Sequence, residues 1–410
     1  MTSIMLAYFR RFDYRLWILA MAWIASAVGF SLSIPFISLY FHSELDMSMT
    51  AIGLYFGFAA VIRAIFQAVG GELADRLGRY HLMVFAQLFR SFVFWVIAFA
   101  IYSHWGFYAI GGLLIFNSIF GALFQPAANA TVADVVGIEQ RTDGYSIVRV
   151  AGNFGWALGP AMGGFLADKS FAILFIFSGA MTLVSSIIIG VFLRGVRKIR
   201  HNDEKFRIRE MLMVKGHELI LKYAALLFIL YLVVSQFLMP FSLYSVDFMG
   251  ISKKELGLLF ALNGLLVTFF QIPTTRLLRG VRLTIQMSIG AVIYAAGFLW
   301  VGLSSTFLAF ALAMAVITTG ENVVSPPALA ITANLAPKGR VGRYMGIYGF
   351  AVTGGWSLGP LLGGVLLDWA KPDFVYAWSV VAALAIISSV GFGYLTRQVP
   401  PDLNLKMNNQ

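Results

Sequence analysis

The chain has 410 residues, of which 59% are hydrophobic and 12% are charged, and its formal net charge is +11. Soluble domains carry about 45–50% apolar and about 25% charged residues, so this composition excludes an ordinary soluble protein and indicates an integral membrane protein. The absence of cysteine excludes disulfide bonds and thiolate metal sites.

The first apolar run covers residues 17–41 and follows three arginines. Its Ala25-Ser26-Ala27 segment is similar to a signal-peptide cleavage site. However, the apolar character continues to Tyr40, which is too long for the apolar region of a signal peptide. We therefore expect a retained transmembrane helix.

Twelve apolar runs are long enough to cross the membrane, for which about 20 residues span about 30 Å of hydrocarbon. Their apolar character is continuous, whereas membrane strands alternate between apolar and polar residues, so a helical bundle is predicted rather than a barrel. The predicted runs are 17–41, 52–71, 82–101, 107–130, 145–166, 171–193, 223–244, 256–273, 283–303, 307–330, 344–367 and 374–395.

The basic residues predict the orientation of the chain. With a cytoplasmic N-terminus, most Lys and Arg fall in the tails and cytoplasmic loops, which is the usual bias of membrane proteins. We therefore expect a multi-pass protein of the inner (cytoplasmic) cell membrane with both termini in the cytoplasm. The exceptions are Lys169, Lys253, Lys254 and Lys371 outside, and Arg63, Arg90 and Arg149 within spans.

A basic block at residues 194–222 lies midway along the chain and predicts a cytoplasmic linker. The predicted domains are a six-helix bundle over 1–193, this linker, a second six-helix bundle over 223–396 and a cytoplasmic tail over 397–410. The block contains one aromatic residue, Phe206, so its charge predicts topology and lipid contact rather than nucleic-acid binding.

An internal repeat relates the two halves. The segment GWALGPAMGG at residues 155–164 returns as GWSLGPLLGG at residues 355–364. At the same offset, Asp134 corresponds to Asn334 and Asp168 to Asp368. Repeats of this kind are the usual construction of membrane transporters, so the predicted fold is all-α, with twelve helices in two pseudo-symmetric six-helix bundles.

Between the second and third runs, residues 71–79 read GELADRLGR. This segment resembles the GxLaDrxGrk loop signature of the major facilitator superfamily, although Tyr80 stands where a second basic residue is usual. With twelve runs, a basic central loop and two related halves, the resemblance covers nearly the whole chain. It implies a secondary transporter in which two six-helix halves rock about a central site.

The loop also predicts a gate. A sharp return between two helices needs a glycine at a position with positive φ or close packing, which suits Gly78. The resemblance implies that Asp75 caps the eleventh helix in the outward-facing state and that Arg79 pairs with an acid, for which Asp134 fits. The alternative is that these are solvated loop charges. The predicted gate residues are Gly71, Asp75, Arg76, Gly78, Arg79, Asp134 and Arg149.

The repeated motif in the fifth helix resembles the GxxxGPxxGG signature of drug:proton antiporters. Glycines four apart on one face permit close approach of a neighbour, and proline bends the helix. The alternative, since the motif recurs in the eleventh helix, is that it forms two packing seams, five against eight and eleven against two. The predicted hinge residues are Gly155, Gly159, Pro160, Gly163, Gly355, Gly359, Pro360 and Gly363.

Ionisable residues deep in membrane spans are costly to bury and mark function. Glu321 lies nine residues before Ala330, about 13 Å along the helix at about 1.5 Å per residue. Because the resemblance places the tenth helix beside the central cavity, we predict Glu321 as the proton-coupling residue or a substrate anchor. The alternative is a fixed salt bridge.

Arg63 and Arg90 are expected at similar depth on an antiparallel hairpin, where they repel unless an anion lies between them or they face apart. The resemblance makes the third helix peripheral and favours a structural role for Arg90, whereas Arg63 borders the interface. The predicted substrate-binding residues are Arg63, Asn117, Gln125, Asn129, Gln236 and Asn322.

Three functions remain open from the sequence. The leading one is proton-coupled export of amphipathic small molecules or drugs, driven by the proton gradient without a cofactor. The second is transport of an anionic metabolite paired to Arg63, and the third is a sensor that binds without flux. An enzyme is not expected, because the histidines lack metal spacing and no phosphate loop follows a strand. We expect a monomer with a small-molecule substrate in the lipid bilayer, and no metal or nucleic acid.

Overall fold

The computed structural model describes residues 12–137, 140–194, 218–337 and 341–405, and within these ranges the chain forms helices and no strand. Each of the twelve predicted runs overlaps one long helical segment, which confirms the all-α membrane fold. Eleven segments of the described chain are long and apolar enough to cross a membrane. The segment outside that set, Arg141–Ala167, contains six glycines and begins with charged residues.

The first seven helices have the following bounds. They are α1 Tyr14–Ser31, α2 Ile34–Ser43, α3 Met49–Leu77, α4 Arg79–Tyr102, α5 Phe107–Val135, α6 Arg141–Ala167 and α7 Phe171–Phe192.

The second half repeats this order with one more interruption. Its helices are α8 Glu218–Val234, α9 Met239–Leu243, α10 Lys253–Leu277, α11 Leu283–Gly302, α12 Phe307–Leu335, α13 Val341–Ala370 and α14 Val375–Leu395. A 3₁₀ turn at Ser235–Phe237 and a π turn at Tyr244–Phe248 flank α9.

The first long helix of each half is broken in its middle. The break between α1 and α2 comes just before Pro35, and the break after α8 comes just before Pro240. Proline has no backbone N–H to donate and its ring crowds the preceding turn, so each helix restarts at its proline.

The described residues cluster into two compact units. The first lies within Met1–Leu45, Phe58–Asn202 and Ser252–Gly264, and the second within Asp46–Gly57, Asp203–Ile251 and Leu265–Gln410. The beginning of α3 therefore belongs to the second unit and the beginning of α10 to the first. Residues 195–217 of the predicted linker lie outside the described part, so the predicted domain boundaries stay a prediction.

Small residues and short hydrogen bonds hold the first unit together. The Ser185 hydroxyl donates to the Ala22 carbonyl at 2.7 Å, and the Ser91 hydroxyl donates to the Gly179 carbonyl at 2.8 Å. Between membrane helices the hydrophobic effect is weak, so such bonds and close backbone approach supply much of the attraction. Large apolar side chains such as Phe58 and Phe92 face outward, as suits a lipid-facing surface.

Candidate substrate cavity, gate and packing seams

The first unit contains a cavity of about 150 Å³. Its wall combines aromatic rings with two arginines and a few small polar groups. The lining residues are Trp23, Ser26, Ala27, Phe30, Arg63, Arg90, Ser118, Gly121, Phe124, Gln125 and Trp156. Mostly apolar walls with a few convergent polar groups are typical of small-molecule sites.

Two guanidinium groups share one aromatic ring in this cavity. The Cζ atom of Arg63 lies 5.5 Å from the centre of the Phe30 ring, and the Cζ atom of Arg90 lies 5.6 Å from it. Both distances are within the range of cation–π attraction. The Phe30 ring therefore contacts both guanidinium groups while supplying no negative charge.

Neutral groups hold Arg90 in place. Its Nη1 donates to the Gln87 side-chain oxygen at 3.2 Å and more weakly to the Ser26 hydroxyl at 3.4 Å. Gly121 leaves room for the guanidinium, because a Cβ there would lie 3.3 Å from Arg90 Cζ. Arg90 is only 4% exposed, and its Nε has no hydrogen-bond partner among the described residues.

Arg90 was predicted to be structural rather than substrate-binding, and its side chain lines this cavity. The prediction of a structural role rested on the peripheral position of its helix, whereas the structure turns its side chain into the cavity beside Arg63. The signal was present in the matching depths of the two arginines. Trp156, which lies inside the repeated motif, is a second lining residue that was not among the predicted substrate-binding residues.

The predicted substrate residues of the first unit have different surroundings. Arg63 and Gln125 line the cavity. Asn117 is buried outside the lining and donates to the Arg90 backbone carbonyl at 3.1 Å, so it fixes the helix that carries Arg90. Asn129 is exposed and outside the lining.

In the second unit, Gln236 and Asn322 contact backbone groups. The Gln236 amide donates to the Leu232 carbonyl at 2.7 Å and to the Gly359 carbonyl at 2.8 Å, which braces the break after α8. The buried Asn322 donates to the Leu266 carbonyl at 3.4 Å. Polar side chains at membrane depth must find such partners.

Glu321 is half-buried on α12, directly before Asn322. The Gln271 amide donates to the Asn322 backbone carbonyl at 3.0 Å, which ties α10 to α12 at this level. The Glu321 charge is close enough to Tyr294 of the same unit to interact with it electrostatically. A carboxyl group therefore lies in a polar stretch of a membrane helix, as the sequence predicted.

The predicted gate pair is formed in the first unit. Arg79 makes an ion pair with Asp134, and the same Nη1 donates to the Ala130 carbonyl at 2.7 Å. The two side chains are 14% and 5% exposed. Gly78, directly before Arg79, has φ of 88°, which confirms the positive φ expected for this turn.

The other predicted gate residues differ in exposure. Gly71 and Asp75 belong to α3, but their side-chain surroundings lie outside the described part of the chain. Arg76 pairs with Glu72 one turn earlier, on a surface where both side chains are largely exposed. Arg149 is exposed on α6.

Three glycines in each copy of the repeated motif face the first long helix of their own half. A Cβ on Gly155 would collide with Ala27, one on Gly159 with Ser31, and one on Gly163 with the Leu32 carbonyl at the break. In the second unit, Gly355, Gly359 and Gly363 meet Tyr231, Ser235 and the Gln236–Pro240 turn in the same way.

A second face of each motif helix forms the predicted seams. A Cβ on Gly257, at the beginning of α10, would strike the Pro160 carbonyl in the first unit. In the second unit, a Cβ on Gly53, at the beginning of α3, would strike the Pro360 carbonyl. Each motif helix therefore has glycine-dependent contacts on two sides. Its own glycines contact the broken helix of its half, and its proline carbonyl contacts a glycine at the beginning of α10 or α3.

A family model described as Major Facilitator Superfamily matches residues 19–317 and 249–410. The chain belongs to the major facilitator superfamily. It is therefore a transporter and not an enzyme, and it is a multi-pass membrane protein. The resemblance based on the loop between α3 and α4 is confirmed.

Curated superfamily relatives support this assignment at modest identity. The MFS-type transporter YttB of Bacillus subtilis (strain 168) is 28% identical over 360 residues, which cover 86% of this chain and 88% of the relative. The Quinolone resistance protein NorA of Staphylococcus aureus (strain MSSA476) is 24% identical over 245 residues, which cover 60% of this chain and 62% of NorA.

Solved transporter structures share the fold. A POT family transporter in complex with 5-aminolevulinic acid has a TM-score of 0.76 at 15% identity, covering 94% of this chain and 96% of that chain. A bacterial homologue of the human lysosomal transporter Spinster has a TM-score of 0.69 at 15% identity, covering 94% of this chain and 97% of that chain.

Proposed function

We propose that this protein is a proton-coupled exporter of amphipathic small molecules that works by rocker-switch alternating access. The aromatic cavity carries the proposal. Trp23, Phe30, Phe124 and Trp156 give it flat apolar walls, and Gln125 adds a polar group. Such a surface suits a molecule with an aromatic body and a polar end. The similarity to the Quinolone resistance protein NorA supports export of such molecules.

Glu321 is the proposed proton carrier. A carboxylate deep in a membrane helix is costly while charged and much less so once protonated. A carboxyl group that gains and loses a proton as access alternates therefore links the proton gradient to the conformational cycle. The half-burial of Glu321 supports this role, since a proton-exchanging carboxyl group must be partly accessible.

The proposal includes topology and gating. The distribution of basic residues supports cytoplasmic termini in the inner (cytoplasmic) cell membrane. The ion pair between Arg79 and Asp134 supports a latch on the cytoplasmic side, together with Asp75. In this scheme the latch contacts form in one access state and break in the other.

The test is transport in proteoliposomes with a fluorescent quinolone as the probe. A pH gradient across the vesicle wall should drive quinolone movement by the native protein and dissipate as it does so. Glu321→Gln should abolish gradient-driven accumulation while retaining exchange of quinolone across the membrane at equal pH. Glu44→Gln, which removes an exposed carboxylate at the end of a helix, should behave as the native protein.

Two results would count against the proposal. Equal gradient-driven accumulation by native protein and Glu321→Gln would remove Glu321 from the coupling mechanism. Quinolone movement that responds to membrane potential or sodium but not to the pH gradient would replace the proton as the coupling ion.

A further inference from the structure

We infer that the cavity of the first unit binds an organic anion, with its acidic group held by Arg63 and Arg90 and its aromatic body against Phe30 and Trp156. This rests on the proposed function in one respect, that the bound molecule is the transported one. It narrows the substrate class from amphipathic molecules in general to aromatic carboxylates and sulfonates.

The positive charges of Arg63 and Arg90 have no compensating anion among the described residues of the first unit. Arg63 and Arg90 both reach the wall of one cavity and repel one another. No carboxylate of the described first unit forms an ion pair with either guanidinium. Cations at membrane depth are normally paired with an anion or with backbone carbonyls. An anionic ligand is the partner that this pair lacks.

Arg90 has unused hydrogen-bonding capacity. A guanidinium offers five donors in a plane, which matches the two oxygens of a carboxylate or the oxygens of a sulfonate. Here Nη1 donates to Ser26 and Gln87, while the buried Nε donates to no described group. Arg90 is 4% exposed, so this N–H is shielded from bulk solvent, and the side chain that carries it lines the cavity.

The size and shape of the cavity fit a small aromatic molecule. The cavity of about 150 Å³ matches the volume at which a buried cavity accepts a benzene-sized molecule. An inorganic anion would leave most of that volume and the aromatic walls unused. A ring carrying one acidic group places its apolar faces on the aromatic walls and its oxygens on the guanidinium groups.

The positions of the two arginines are held in different ways. Arg90 is fixed by Gln87, by the Ser26 hydroxyl and by the Asn117 bond to its own backbone. Arg63 is partly buried and, among the described residues, contacts the Phe30 ring without a hydrogen bond. The geometry therefore makes Arg90 the fixed anchor and leaves Arg63 free to close onto the anion.

The test measures binding to the purified full-length protein by calorimetry with four probes. Benzenesulfonate, benzylammonium and phenol share one benzene ring and differ in charge, and inorganic sulfate has the charge without the ring. Benzenesulfonate should bind at least tenfold more tightly than each of the other three. Arg63→Gln and Arg90→Gln should each weaken its binding at least tenfold, whereas Arg397→Gln, at an exposed arginine, should leave it unchanged.

Two further variants keep the test decisive if Arg90→Gln does not fold. Gly121→Ala should displace the Arg90 side chain, since its Cβ would lie 3.3 Å from Cζ, and should weaken sulfonate binding while the protein stays folded. Arg90→Lys retains the charge without the planar donors and should recover part of the affinity lost in Arg90→Gln.

Several results would overturn the inference. These are equal or tighter binding of benzylammonium, equal binding of inorganic sulfate, and unchanged benzenesulfonate affinity in both Arg63→Gln and Gly121→Ala. Glu321→Gln should leave sulfonate binding intact, so that loss of proton coupling and loss of the anion site are separate outcomes. Sulfonate binding without gradient-driven flux would retain the anion site and contradict the proposed export.

Discussion

Asp368 accepts two hydrogen bonds from Thr50, one from its backbone N–H and one from its hydroxyl, each 2.7 Å long. Thr50 lies in the first turn of α3, where backbone N–H groups lack helical partners and the helix dipole favours negative charge. Asp368 therefore caps a helix far away in sequence. Its repeat counterpart, Asp168, is exposed and makes no side-chain hydrogen bond to a described residue.

The two aspartates provide a matched pair for testing this cap. Asp368→Ala should lower the free energy of unfolding by about 0.5–2 kcal/mol, the usual cost of losing a helix cap. Asp168→Ala should stay within about 0.5 kcal/mol of the native protein, as exposed substitutions usually do. Thermal unfolding in detergent micelles measures both. Equal losses in the two variants would show that the repeat, rather than the Thr50 contact, determines the role of these residues.

The buried ion pair predicts strong coupling between Arg79 and Asp134. Removing one partner of a buried pair costs about 3–5 kcal/mol at full burial, because the other charge is left without compensation. A double-mutant cycle with Arg79→Gln and Asp134→Asn should give a coupling energy of about 1–3 kcal/mol. The same cycle on Arg76 and Glu72, with side chains 74% and 67% exposed, should give less than about 1 kcal/mol.

The latch proposal adds a second measurement on the same residues. The native chain has no cysteine, so single cysteines introduced at the C-terminal end of α5, near Asp134, report solvent access without background labelling. Asp134→Asn and Asp75→Asn should both raise labelling rates if the contacts close the cytoplasmic side. Unchanged labelling in both variants, with native transport, would leave the ion pair as a structural contact alone.

The packing seams predict opposite effects for two glycine substitutions. Gly257→Ala places a methyl group against the Pro160 carbonyl and 3.1 Å from Gly164 Cα, so it should cost about 1–3 kcal/mol through overpacking. Gly349→Ala, in the middle of α13 with open space around the new Cβ, should stabilise the helix by about 0.5–1 kcal/mol. Melting temperatures that fall equally in both would contradict the glycine-dependent seam.

The helices and the seams follow from the sequence because their signals are long and local. A continuous apolar run specifies a membrane helix, and glycines spaced four apart specify a face for close packing. The pairing of Arg79 with Asp134 came from the family resemblance. The helices and the close-packing faces are therefore specified by local residue types, whereas the ion pair needed the resemblance as well.

The partners of isolated polar residues could not be predicted from local residue types. Asn117 and Gln236 were predicted to bind substrate, and in the structure both donate to backbone carbonyls. A substrate group or a backbone carbonyl can each satisfy a polar side chain in a membrane, so the residue type alone does not choose between them. Arg90 lines the cavity, although its helix was expected to be peripheral.

Asn404 lies in the segment that follows α14 and is fully buried against α11. Its carbonyl accepts from Leu283 N–H at 2.8 Å, and its side-chain oxygen accepts from Thr284 N–H at 3.0 Å. Asn334, the repeat counterpart of Asp134, donates to the Leu403 carbonyl at 2.9 Å. The second half thus uses the end of the chain where the first half uses an ion pair.

Asn404→Ala should therefore lower the free energy of unfolding by about 1–3 kcal/mol, since it removes a buried cap and leaves the Thr284 N–H without its acceptor. Asp402→Ala, two residues away and exposed, should change it by less than about 0.5 kcal/mol. Thermal unfolding gives the size of the effect, and hydrogen exchange at the first turn of α11 gives its location. Faster exchange at Leu283 and Thr284 in Asn404→Ala alone is the expected pattern, and native exchange rates there would contradict the cap.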